Sequence, residues 1–109
     1  MFQLVLKEDK EYNTYDVALK YSDDHISLTL EPEYPECIVD VNLDTDGRLD
    51  SSPSNGEFCL SWDSKSIFLS VAKYGDGQGG SLVVSINRTP EVMASLMKCL
   101  KEWQDAFTK

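Results

Sequence analysis

Apolar and polar residues alternate with a period of two through most of the first 87 positions. Phe2, Leu4 and Leu6 alternate with Gln3, Val5 and Lys7. The same alternation returns over 15–21, 26–31, 37–44, 57–62, 67–72 and 82–87. Period two with one apolar side predicts antiparallel strands, each with one face on a core and one facing out. Parallel strands covered on both faces would read as continuous apolar runs and would need crossover helices, which the pattern lacks.

The period changes after Thr89. Met93, Leu96, Met97, Leu100, Trp103 and Phe107 recur at spacings of three and four, and Val92 and Cys99 widen the stripe. This predicts one amphipathic helix from Thr89 to Phe107. Thr89 suits the N-cap and Pro90 the first helical position, where no amide hydrogen is needed. Glu91 in the first turn and Lys98 and Lys101 later on suit the helix dipole. The fold class is therefore α+β: a curved, half-barrel-like antiparallel sheet of about seven strands packed on one C-terminal amphipathic helix. A chain of 109 residues with 41% hydrophobic residues predicts a single domain, 1–109, with a real core.

The connections fit this order. Ser22-Asp23-Asp24 and Trp62-Asp63-Ser64-Lys65 read as tight hairpins, and Tyr74 to Gly80 as a glycine-rich one. Pro32 and Pro35 hold Glu31 to Glu36 off the ladder, because proline cannot donate a hydrogen bond. Asp44 to Gly56 reads as the longest irregular piece. The expected strand at 37–43 places Asp40, Asn42 and Asp44 on one outward face, with Asp16, Glu31 and Glu57 in equivalent positions on their own strands. Phe68, Ala72 and Val83 also point outward, as scattered apolar surface.

Charge changes the picture. Nineteen acids against ten bases give −9. Residues 8–63 hold fifteen of the acids and three of the bases, whereas residues 64–109 hold four acids and six bases. An acidic surface of this kind excludes nucleic acid and anionic membrane as partners and favours a basic protein. The first ten residues do not form a signal peptide, and no apolar run is long enough to span a bilayer. Three cysteines cannot all pair, and Cys37 and Cys99 fall on apolar stripes, which predicts free thiols in a bacterial-type cytoplasm.

Candidate chemistry is thin. Asn42 to Asp50 matches the first nine positions of a calcium-binding EF-hand loop, with oxygen ligands at one, three, five and nine and Gly47 at six. Position twelve is Pro53 where a bidentate glutamate belongs, and an Asp46-Gly47 hairpin turn explains the same residues. No metal or other cofactor is therefore expected. Gly75 to Gly80 lacks the helix amino terminus that a phosphate loop requires. His25 is the single histidine, which leaves no His pair, and a Cys59–His25 nucleophile pair has no local support. No catalytic residue is expected, and the protein is not expected to be an enzyme.

A small, acidic, mostly β chain with one late helix and no catalytic set resembles the immunity proteins of bacterial toxin systems, including contact-dependent growth inhibition. The resemblance implies a monomer that binds a cognate basic toxin, a nuclease foremost, in a heterodimeric complex and blocks its active site or substrate groove. The carboxylates expected to meet that partner are Asp23, Asp24, Glu31, Glu33, Glu36, Asp40, Asp44, Asp46 and Asp50. Two other classes remain open: a β-barrel-like module for a small apolar ligand, and an acidic chaperone for a secreted effector.

Overall fold

The structure is a computed structural model that describes residues 1–12, 14–32, 35–44, 47–51, 56–73 and 80–108. Seven strands are formed among these residues: β1 Phe2–Asp9, β2 Thr14–Ser22, β3 Ser27–Leu30, β4 Gly47–Ser51, β5 Gly56–Trp62, β6 Ser66–Lys73 and β7 Gly80–Asn87. A short 3-10 helix, Pro35–Asp40, lies between β3 and β4, and helix α1, Pro90–Phe107, ends the chain. The α+β class and the late helix are as expected. The single curved sheet is not: the strands form two antiparallel sheets, ordered β1-β2-β3 and β4-β5-β6-β7.

Two local expectations fail at that break. The first is the strand at 37–43. Pro35, Ile38 and Val41 are covered at intervals of three, and Ile38 is fully buried while Val39 is exposed. That is the period of a 3-10 helix, and it puts Ile38 in the core in place of the expected Val39. Asp40, Asn42 and Asp44 therefore do not share a strand face. The second is the loop at 44–56, which contains β4. Gly47 lies opposite Trp62 in the β4–β5 register. A Cβ on Gly47 would sit 2.6 Å from Trp62 Cζ2. The indole, itself buried, thus covers the glycine, which accounts for Gly47 without a calcium loop.

The inner faces of both sheets, the 3-10 helix and α1 meet in one core. Leu19, Ile38, Leu60, Ile67, Leu69, Leu96, Leu100 and Trp103 are almost completely enclosed. Each large side chain contributes roughly 1.5–3 kcal/mol of transfer free energy. Thr89 caps α1 as expected, its Oγ1 accepting from the Val92 amide at 3.2 Å. Helix α1 also covers the start of β1's outer edge. The Phe2 amide donates to Ser95 Oγ at 3.1 Å, and Ser95 Oγ donates to the Val92 carbonyl at 2.7 Å. No disulfide joins Cys37, Cys59 or Cys99. No helix among the described residues is long and apolar enough to cross a membrane.

Two changes test this packing. Deleting residues 90–109 removes α1 and is expected to leave an insoluble or unfolded product; a truncated chain that still melts cooperatively would contradict it. Gly47→Ala forces the new methyl into an indole with no room to swing. It is expected to cost roughly 1–3 kcal/mol in chemical denaturation, against no change if Trp62 were free to move.

Candidate functional site

Turn-forming aspartates account for part of the acidity. In the β1–β2 hairpin, Asp9 Oδ1 accepts from the Glu11 and Tyr12 amides at 3.1 and 3.4 Å. In the β2–β3 hairpin, Asp23 Oδ1 accepts from the His25 and Ile26 amides at 2.7 and 2.9 Å. In the β5–β6 hairpin, Asp63 Oδ1 accepts from the Lys65 and Ser66 amides, both at 2.8 Å. Aspartate suits this position because its short side chain closes a turn on amides two and three residues on. Arg88 Nη1 donates to the Asp63 carbonyl and ties the hairpin to the start of α1.

Asp23 does more than close its turn. Its Oδ2 accepts from the Tyr21 hydroxyl at 2.7 Å. The Tyr21 hydrogen bond, followed by the His25 and Ile26 amides, lowers the Asp23 pKa to about 2. Burial, followed by the Asp23 carboxylate, pushes Tyr21 up to about 12. Asp23, expected as a partner contact, is thus a structural residue whose carboxylate is engaged on both oxygens.

The outer face of the first sheet is balanced rather than acidic. Lys7 lies opposite Asp16, and Lys20 opposite Thr29. Lys7, Lys20, Asp16 and Glu31 surround a shallow hollow of about 590 Å³ with Val5 and Ala18 in its floor. Glu31 therefore shares this hollow with two lysines and Asp16. Asp24 is exposed in the β2–β3 turn. Glu33 and Asp46 lie outside the described residues, and Asp50 is on β4 with its side chain outside them.

Three of the expected carboxylates come together on one segment. Glu36 and Asp40 are exposed on the 3-10 helix and Asp44 in the turn that follows. Val39 is exposed between them at 41%. Helix α1 holds this segment from beneath. Trp103 Nε1 donates to the Pro35 carbonyl at 2.9 Å. Gln104 Nε2 donates to the Ile38 and Val41 carbonyls at 3.0 and 2.8 Å. The Val41 amide donates to the Ile38 carbonyl at 3.2 Å, and Asn42 Oδ1 accepts from the Asp44 amide at 2.9 Å. Carbonyls that a strand would have satisfied are thus met by helix side chains. The result is a short acidic ridge with an apolar tip on a fixed base.

Val39 and the anchors Trp103 and Gln104 were missed in the sequence. The interval of three from Pro35 to Val41 was the available signal for Val39. Nothing marked Gln104, because a polar residue on a helix flank looks the same whether or not it meets a carbonyl. His25 lies in the β2–β3 turn and Cys59 on β5, in different sheets. No family model, no curated protein and no solved structure matches this chain.

The Tyr21–Asp23 contact has a defined pH signature. A lowered carboxyl pKa contributes stability fully above its ordinary value of 3.8 and loses it as pH falls through about 2. The raised tyrosine contributes fully below its ordinary value of 10.0 and loses that as pH rises through about 12. Carboxyl chemical shifts should place the Asp23 midpoint near 2, and Tyr21→Phe should move it upward toward the ordinary value. An unchanged midpoint in Tyr21→Phe would rule out the hydroxyl as its main cause.

Proposed function

We propose that this protein is a non-catalytic inhibitor of the immunity type, which neutralises a basic toxin by covering its active site or substrate groove. The observation that carries this reading is the ridge of Glu36, Val39, Asp40 and Asp44, fixed on α1 by Trp103 and Gln104. Carboxylates at the rim of an apolar contact steer a positively charged partner and speed its capture. The exposed apolar tip at Val39, once covered by the partner, then slows dissociation. A fixed base keeps the ordering entropy low when the complex forms. A nuclease suits the partner role, because its substrate groove is basic for the same electrostatic reason that it holds phosphates.

The set of contact residues narrows accordingly. Glu36, Asp40 and Asp44 remain as the centre, with Asp24 as an outlying charge. Asp23 and Glu31 leave the set: the first is engaged in its turn, and the second shares a charge-balanced surface with Lys7, Lys20 and Asp16. The apolar-carrier reading loses support, because Leu96, Leu100 and Trp103 occupy the space that a ligand would need.

The test is affinity capture from the source cells, followed by kinetics with the purified partner. Replacing Asp40 and Asp44 together by lysine should slow association at least roughly tenfold at low salt and flatten its salt dependence, with the melting temperature kept. Co-expression of the wild-type chain should protect cells from the partner, and the double variant should protect less. Equal affinity of the double variant would remove the ridge from the interface. Capture of no basic protein would contradict the inhibitor reading itself.

A further inference from the structure

The two sheets have four edge strands: β1 and β3 in the first, β4 and β7 in the second. An open edge is a template for pairing with another chain, and proteins blunt it by cover, shortness, charge or proline. Three of the four edges are treated in this way. Helix α1 covers the start of β1 through the Phe2–Ser95 bond. Strand β3 has four residues and runs into Glu31-Pro32. Strand β4 has five and carries Arg48 and Asp50.

Strand β7 is different. It is eight residues long, Gly80-Ser-Leu-Val-Val-Ser-Ile-Asn87, with no charged residue and no proline. That is unexpected in a chain with 27% charged residues. Leu82 is 49% exposed and Val83 66%, although they are consecutive and face opposite sides of the sheet. The direction of the backbone follows from the register. The Arg88 amide donates to the Lys65 carbonyl at 3.1 Å. Counting from that bonded pair, Ile67–Ile86, Leu69–Val84 and Val71–Leu82 are hydrogen-bonded pairs, and Phe68–Ser85 and Ser70–Val83 are not. The amides and carbonyls of Ser81, Val83, Ser85 and Asn87 therefore point away from β6, toward the outer edge. Among the described elements, β6 is the one hydrogen-bonded to β7.

We propose that β7 is a homodimerisation edge, at which two copies pair their β7 strands antiparallel about a two-fold axis and join two four-stranded sheets into one. With the axis beside Val83, this residue pairs with its own counterpart, and Ser81 pairs with the counterpart of Ser85. Leu82 then lies opposite the counterpart of Val84, and apolar side chains gain neighbours on both faces of the joined sheet. A second copy fits this edge better than a basic partner does. Residues 80–87 offer no carboxylate to attract a cation, and the same absence lets two molecules of charge −9 meet without like charges at the contact. This edge lies on a different element from the acidic ridge, so the dimer and the inhibitory complex can coexist.

Sedimentation equilibrium of the full chain tests the proposal. The mass should rise from monomer toward dimer between about 1 and 100 µM. Raising salt from about 0.05 to 0.5 M should tighten the dimer by screening repulsion between the two acidic bodies. Val83→Lys, at an exposed position, should weaken the dimer at least roughly tenfold without changing the circular dichroism. Val5→Lys, exposed on the outer face of the first sheet, should leave it unchanged. If Val83→Lys does not fold, Ser85→Lys puts a charge on the same edge. The Val83 and Ser85 amides should exchange more slowly at high protein concentration. A monomer at every concentration and salt overturns the proposal, as does a dimer that persists in a folded edge variant.

Discussion

The burial of Trp103 is the contact on which the rest of the molecule depends. Its ring is fully enclosed in the core that the two sheets share with α1. Its indole N–H reaches the Pro35 carbonyl at the head of the 3-10 helix. One residue thus joins the apolar stripe of α1 to the backbone of the segment between the sheets. An indole can do both because it is large and apolar with a single polar atom that needs a partner once buried. Gln104, next in the chain, extends the same bridge to Ile38 and Val41. Without this bridge the Pro35 and Val41 carbonyls would lose their side-chain donors at the core's rim.

The acidity of the molecule has more than one physical role. Asp9, Asp23 and Asp63 close hairpins by accepting from turn amides. Asp16 and Glu31 share their surface with Lys7 and Lys20. Among the described residues, Glu36, Asp40 and Asp44 stand exposed together on the one short segment that α1 supports. A net charge of −9 therefore overstates the acidity of any one face. The ridge matters because its carboxylates stand beside an exposed valine on a backbone held from beneath.

Much of the fold is legible in the sequence. The helix and its cap follow from Thr89-Pro90 and the stripe at spacings of three and four, and six of the seven strands follow from strict alternation. The failures fall between β3 and β5. Cys37, Val39, Val41 and Leu43 alternate well enough to imitate a strand, but Pro35 starts a 3-10 helix and Ile38 takes the core position. Strand β4 is hidden because Gly47, Arg48 and Asp50 resemble turn residues; β4 makes sense once Trp62 is seen to cover Gly47. The break into two sheets could not be read, because pairing partners depend on where the core lies and not on any one strand's pattern. The candidate site was legible as charge. Its geometry was not, because Trp103 and Gln104 meet backbone carbonyls more than sixty residues away in the chain.

Native-state hydrogen exchange at the Val41 amide tests most directly whether α1 holds the acidic segment as one fixed body. This amide donates to the Ile38 carbonyl, which Gln104 also engages. In the wild-type chain it should exchange through openings nearly as costly as unfolding the core, and in Gln104→Ala it should exchange at least roughly tenfold faster while Leu60 and Leu69 are unaffected. Exchange of Val41 at the rate of an unstructured peptide in the wild-type chain would contradict the account.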